Sequence, residues 1–114
     1  MKRFIQNIKD LDFKPYDYYG KILEGMSWHK ISYDEKNGGF GIYILKIEAG
    51  TKTLPHRHQG YEEFYVAEGE LQDKDGKIFK KGDFVTFEPG TEHNSYTKNG
   101  CLLIVFMRGL NKLI

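Results

Sequence analysis

The chain reads as an all-β protein, an antiparallel sandwich or barrel. Three observations lead there. Apolar residues alternate with period two from Ser27 onward. Turn signals rich in Gly, Asp and Asn recur at intervals of roughly 8–12 residues. No segment after Ser27 carries a helical period. Eight or so short strands bounded in this way suit a closed or two-layered β architecture.

The elements follow in order. Residues 1–26 show weak periodicity. Asp10 to Gly20 is aromatic and acidic and contains Pro15, so we expect an arm packed across a sheet, with room for a short strand. Residues 27–114 form one domain. Trp28 to Tyr33 partly alternates and meets Asp34-Glu35-Lys36-Asn37-Gly38-Gly39, a strong turn signal. In the strand Phe40–Glu48, Tyr43, Leu45 and Ile47 share one face, and Ile42, Ile44, Lys46 and Glu48 share the other. Thr51 to His58 is a short extended stretch in which Pro55 forbids one ladder hydrogen bond. Glu62 to Leu71 is a strand broken at Gly69, and Asp73-Lys74-Asp75-Gly76 is a hairpin turn. Lys77–Lys80, Asp83–Phe87 and Asn94–Lys98 are short strands. Cys101 to Arg108 is apolar on both faces and is expected to be a central strand covered on both sides.

With 114 residues the chain has material for one compact core. Eight Tyr, eight Phe and one Trp supply its bulk. The net charge is +1, from 17 basic and 16 acidic residues that are mixed along the chain. There is no basic stripe for nucleic acid and no acidic tail for a cationic partner. The one cysteine, Cys101, allows no intrachain disulfide and fits a reducing compartment. It heads an apolar run and reads as a small buried hydrophobe. No apolar run reaches the length of a membrane span or a signal-peptide core, so the cytoplasm is expected.

The chemistry is concentrated in His56-Arg57-His58-Gln59-Gly60-Tyr61-Glu62, answered by His93. Side chains two apart on a strand point to one face, so His56 and His58 can grip one ion from one side. Three neutral imidazoles and one carboxylate suit a divalent zinc, iron, manganese, nickel or copper ion. The fourth histidine, His29, has no partner pattern and reads as a packing residue. Phe64 and Val66 share the Glu62 face. Tyr43, Leu45 and Ile47 are candidates for the opposing pocket wall, with Val105 or Phe106 at the back. Glu63 faces the other way and reads as solvated, with pairing to Arg57 as the alternative. The chain lacks a phosphate-binding Gly-rich loop followed by a helix, and none of Ser27, Ser32 and Ser95 sits on a nucleophile elbow.

These residues resemble the two motifs of the cupin superfamily. The first reads glycine, five residues, His-x-His, three or four residues, Glu, six residues, glycine, matched by Gly50, His56, His58, Glu62 and Gly69. The second reads glycine, five residues, Pro-x-Gly, two residues, His, three residues, Asn. Gly82, Gly90 and His93 match it, while Glu88 replaces the first proline and Thr97 the asparagine. The wider run through Val66-Ala67-Glu68-Gly69-Glu70, Asp73, Gly76, Pro89-Gly90-Thr91-Glu92-His93 and Gly100-Cys101 is similar to ChrR-like cupins. The resemblance implies a jelly-roll β-barrel, often dimeric, with one metal ion on His56, His58, Glu62 and His93. Anti-sigma proteins of that branch carry an N-terminal helical domain with further His and Cys ligands. This chain shows no such segment, and sigma-factor binding is not expected of it.

Two functions follow as expectations. One is a small mononuclear metal enzyme of dioxygenase or isomerase type acting on a small organic molecule. In it Glu62 is a ligand and also the candidate catalytic base. The other is a non-enzymatic metal- or ligand-binding module, in which four protein donors close a tetrahedral site. A homodimer is expected, because the aromatic arm and the Cys101–Met107 run offer more apolar surface than one small barrel needs.

Overall fold

The computed structural model describes residues 1–114. Its strands are β1 (Lys14–Pro15), β2 (Met26–Lys30), β3 (Phe40–Ile47), β4 (Thr51–Lys52), β5 (His56–His58), β6 (Tyr61–Asp73), β7 (Ile78–Lys80), β8 (Phe84–Phe87), β9 (Glu92–His93), β10 (Ser95–Thr97), β11 (Cys101–Arg108) and β12 (Asn111–Leu113). Every pairing is antiparallel. The larger sheet runs β1-β2-β3-β11-β6-β10-β4, with β7 and β8 also on β6, and a smaller sheet runs β12-β5-β9. The curled pair of sheets makes a nearly all-β barrel.

Register explains where the core lies. In β11, Leu103 and Val105 face Leu45 and Tyr43 of β3 on one side and Val66 and Phe64 of β6 on the other. Met107 sits opposite Glu62, so the row of core residues ends on the candidate ligand. All of these side chains are buried. The interior is therefore set by one face of each of three strands, as the period-two pattern requires.

Several expectations need correction. The central position of β11 is as expected, but its two faces are covered unequally. Cys101, Leu103, Val105 and Met107 are buried, whereas Leu102, Ile104 and Phe106 are only half-buried. That outer face is covered in part: Ile44 of β3, opposite Ile104, is buried, and N-terminal residues reach the face, with the Asp12 carbonyl and the Gln6 side chain on His29. Thr51 to His58 is not one stretch. β4 pairs with β10 and β5 with β9 and β12, and the chain changes sheet at Thr53–Pro55, where proline offers no ladder donor. The expected strand Trp28–Tyr33 is shifted to Met26–Lys30. A single 3-10 turn, Glu35–Asn37, fills the loop read as purely a turn, and the Asp34 side chain caps it by accepting from the Lys36 N–H.

β6 does not break at Gly69 but runs for 13 residues. Its register with β11 slips between Leu102 and Leu103, so Ala67 is an extra residue on β6. This is a β-bulge, and Gly69 serves it: φ is +73°, and a Cβ there would collide with the Gly100 carbonyl. Gly69→Ala is expected to destabilise the fold by about 2–3 kcal/mol, the sum of left-handed strain and a backbone clash. Urea unfolding of the variant measures it.

In the N-terminal residues, β1 pairs with β2 at the sheet edge, and Tyr16 is buried against Trp28 at 4.9 Å between ring centroids. Tyr18 and Tyr19 pack on the same core, while Phe4 and Ile5 are exposed. No helix is long and apolar enough to cross a membrane.

Candidate metal centre

His56, His58, Glu62 and His93 converge. One donor atom from each lies within 4.8 Å of those of the others, and all four residues are buried. β5 supplies His56 and His58 from one face, with Arg57 turned outward to Glu92. The pairing His56↔His93 between β5 and β9 sets the third ring beside the first. Glu62 enters from β6, across the barrel. Phe87 of β8 forms an apolar shelf, 4.9 Å from the His58 ring and 4.2 Å from the His93 ring.

Outer partners fix the protonation of each ring. His56 Nδ1 is 2.8 Å from the Leu54 carbonyl, and His93 Nδ1 is 2.7 Å from Asp73 Oδ1. Neither oxygen can donate, so both Nδ1 atoms carry the proton. His58 Nδ1 is 2.8 Å from Thr91 Oγ1, whose own proton goes to the Glu88 carbonyl, so here too Nδ1 donates. In the neutral tautomers, all three Nε2 atoms are therefore bare lone pairs. His93 Nε2 is buried without any hydrogen-bond partner. His58 Nε2 faces Glu62 Oε2 at 3.2 Å. Two acceptors meet there, and they are reconciled only by added positive charge, a proton or a metal ion. The donor set thus fits a borderline divalent cation, with each imidazole oriented by a second hydrogen bond.

The electrostatic surroundings agree. Burial pushes the His56 imidazole below its ordinary value, against the pull of Glu62. Burial pushes the Glu62 carboxyl up. Hydrogen bonding and charge at His58, charge at His56 and the Asn111 amide pull harder, and it is held at about 2. Burial also pushes the phenols of Tyr16, Tyr19 and Tyr43 up, so they stay neutral. The Cys101 thiol, buried and raised to about 11, is unreactive.

A cavity of about 50 Å³ adjoins the cluster, bordered by His56, Glu62 and His93. Tyr43, Leu45, Ile47, Phe64 and Val105 also border it; Phe106 does not. Glu63 does not meet Arg57. It accepts from Thr86 and pairs with Arg108 at 3.0 Å. His29 stands apart, its ring nitrogens 3.1 Å from the Asp12 carbonyl and 2.6 Å from the Gln6 side chain. Thr97, in place of the motif asparagine, is wholly buried, donating to the Glu70 carbonyl and accepting from the Gly100 N–H. It closes the bulged end of the sheet.

Sequence reasoning missed the residues behind the ligands. Asn111 of β12 donates to Glu62 Oε1 at 2.9 Å, and its backbone N–H donates to the Tyr18 hydroxyl at 2.8 Å. Asp73, read as a turn residue and named in the family resemblance without a role, orients His93 and accepts from Ser95 Oγ. The signal for Asp73 was its place at the end of the Glu62 strand; Asn111 had none.

A β-barrel that gathers three imidazoles and a carboxylate inside one end has the architecture of a cupin. The family model described as the ChrR cupin-like domain matches residues 1–111, and the chain belongs to that family. No curated protein matches the chain significantly. Among solved structures, the polyketide cyclase RemF from Streptomyces resistomycificus is 21% identical with a TM-score of 0.74, covering 100% of this chain and 85% of that one. An acetylacetone dioxygenase from Acinetobacter johnsonii is 13% identical with a TM-score of 0.73, covering 99% and 74%. The structure of SigE in complex with the anti-sigma ChrR from Rhodobacter sphaeroides gives 18% identity and a TM-score of 0.70, covering 90% of this chain and 52% of that one. At these identities the likeness is one of fold.

Proposed function

We propose that this protein is a mononuclear metal-dependent cupin enzyme, of dioxygenase or isomerase type, acting on a small organic molecule. The observation that carries the reading is the set of three bare, inward Nε2 atoms gathered on an ionised carboxylate beside a cavity. His56, His58, Glu62 and His93 hold one divalent ion, of zinc, iron, manganese or nickel. When bound, the ion supplies Lewis-acid polarisation of a carbonyl or enol oxygen and, for iron, access to dioxygen chemistry.

The chain's own residues do the rest. Glu62 borders the cavity as a carboxylate, and its Oε2, when off the ion, would be the base that takes a proton from the substrate, while Asn111 keeps Oε1 in place. Phe64, Leu103 and Val105 exclude water from that step. Asn111→Leu removes the donor to Glu62 and is expected to weaken metal binding by about 10–100-fold, as loss of an outer-shell partner does. Competition against a chromogenic chelator measures it. Activity is tested by oxygen uptake with dicarbonyl and phenolic compounds, on protein loaded anaerobically with iron. Absence of oxygen uptake, and of any isomerised product by proton NMR, across both classes overturns the enzymatic reading.

The burial of all four donors favours a second reading, a binding or sensing module with a closed tetrahedral zinc site. It requires tight zinc, no exchangeable ligand position and no turnover. X-ray absorption on the zinc form counts the ligands.

The protein is further proposed to be a cytoplasmic homodimer. Leu102, Ile104 and Phe106 leave an apolar strip on the outer sheet face, and Phe84 beside it is 74% exposed. Sedimentation equilibrium tests this, and a monomer at micromolar concentration would count against it.

A further inference from the structure

The N-terminal residues do more than pack on the barrel, because they complete the cavity. The Leu23 N–H donates to the Tyr16 carbonyl at 3.0 Å and the Tyr16 N–H to the Met26 carbonyl at 3.1 Å, so residues 16–26 close into a loop. Gly20, at a φ of +84°, lets the loop double back, and its N–H closes the turn on the Asp17 carbonyl. The far end of the chain tethers the loop, since the Asn111 N–H donates to the Tyr18 hydroxyl. Tyr16 and Tyr19 thereby reach the cavity wall, where Tyr43 of β3 joins them. The Tyr19 ring stands 6.4 Å from that of His56.

The three hydroxyls are not equivalent. That of Tyr43 is turned toward the Tyr16 oxygen, and the Asn111 amide, which also donates to Glu62, is turned toward the Tyr19 oxygen. A hydroxyl accepts and donates at once. With their oxygens accepting, Tyr16 and Tyr19 keep their own protons for another partner. The hydrogen bonds formed in this corner, from Asn111 to Tyr18 and to Glu62, use neither proton. Leaving a buried O–H unpaired is costly, and two of them border one space of about 50 Å³. The wall beside them is alkyl, with Leu23, Leu45, Ile47 and Leu103. Such a space takes an acceptor at one end and apolar groups along its side.

We propose that the Tyr16 and Tyr19 hydroxyls are the ligand-binding donors of this cavity, and that its ligand is a small uncharged monocarbonyl compound, such as a short-chain ester, of about four to six heavy atoms. One carbonyl oxygen has two lone pairs and receives both protons, while the alkyl ends lie along the leucines. This deepens the reading of the cavity as a ligand site, and it holds with or without the ion. Tyr19 is the specificity-determining residue, because a ligand without an acceptor leaves its proton unpaired, and a site built to hydrogen-bond discriminates against such a ligand.

Methyl acetate is the probe, and xenon the control, since xenon fills an apolar cavity without accepting a hydrogen bond. Both are titrated by NMR into protein supplied with zinc. The zinc content of the same sample reports on the metal centre separately, and protein that holds no zinc is titrated as it stands. Tyr19→Phe keeps the ring and removes the hydroxyl. Its affinity for methyl acetate is expected to fall about tenfold, and that of Tyr16→Phe likewise, with xenon affinity changed by less than about twofold. Tyr33 serves as the reference, because its hydroxyl is buried without a partner in the same aromatic cluster but does not border the cavity. Tyr33→Phe is expected to leave both affinities unchanged. Wild-type protein that takes xenon but not methyl acetate, equal methyl acetate affinity in wild type and Tyr19→Phe, or an equal loss in Tyr33→Phe overturns the proposal. So does loss of xenon together with methyl acetate in Tyr19→Phe, which would mean that the hydroxyl only keeps the wall in shape.

Discussion

Wild-type protein loaded with one equivalent of zinc melts well above its metal-free form, and the His58→Ala variant shows no such gap. That is the expected result, and its size follows from mass action. An ion that binds only the folded chain stabilises it by about 4 kcal/mol at a thousand times its dissociation constant. For a domain of this length that is roughly 15 °C in melting temperature. His58 is the decisive position because it is wholly buried, its Nδ1 is committed to Thr91, and its Nε2 lies against Glu62. Removing the ring also leaves a void and an unpaired Thr91, a loss of about 1–3 kcal/mol without any metal. The comparison is therefore made within each variant, with and without zinc, and His58→Gln is run beside it to keep volume and polarity. Stoichiometric zinc in elemental analysis of both variants would falsify the assignment of the cluster as a metal centre.

The quartet was legible because its information is local. His56 and His58 are two apart on a strand, Glu62 begins the next strand, and the glycines that bend the chain lie at fixed distances from them. Periodicity also showed which face of β3, β6 and β11 turns inward. What it cannot carry is register between segments far apart in the chain. Nothing in Asn111-Lys112-Leu113 marks a strand, and β12 exists because it adds to the edge of β5, with Asn111 opposite His58. Glu63 was open to Arg57 by proximity in sequence, but the pairing of β6 with β11 puts Arg108 opposite Tyr61, next to it. A bulge likewise looks like a strand break until the partner strand is known, and Gly69 was read that way. The apolar outer side of β11 looked like core because composition cannot say how completely other residues cover it.

Acid is expected to strip the ion at about pH 5 and to weaken the metal-free fold as well, in a definite order. Each imidazole must be neutral to donate Nε2, so binding competes with protons, and affinity falls by up to about tenfold per pH unit for each ring that charges. Burial depresses the His56 pKa, so that ring stays neutral to a lower pH than a free imidazole. The same depression sets the sign for stability. Below the ordinary histidine value of about 6.5 the unfolded chain takes up the proton more readily than the folded one, so stability declines as pH falls from there. Glu62 adds a second decline. Its folded value of about 2 lies below its unfolded one, so its contribution is complete above about pH 4.5 and is lost as pH falls toward 2. Melting curves from pH 8 to pH 4, with and without zinc, should show the holo–apo gap closing near pH 5 while the apo curve is already descending. A gap undiminished at pH 4 would mean that imidazole nitrogens are not what holds the ion, and an apo melting temperature flat from pH 7 to pH 5 would remove the buried neutral His56 on which the centre is built.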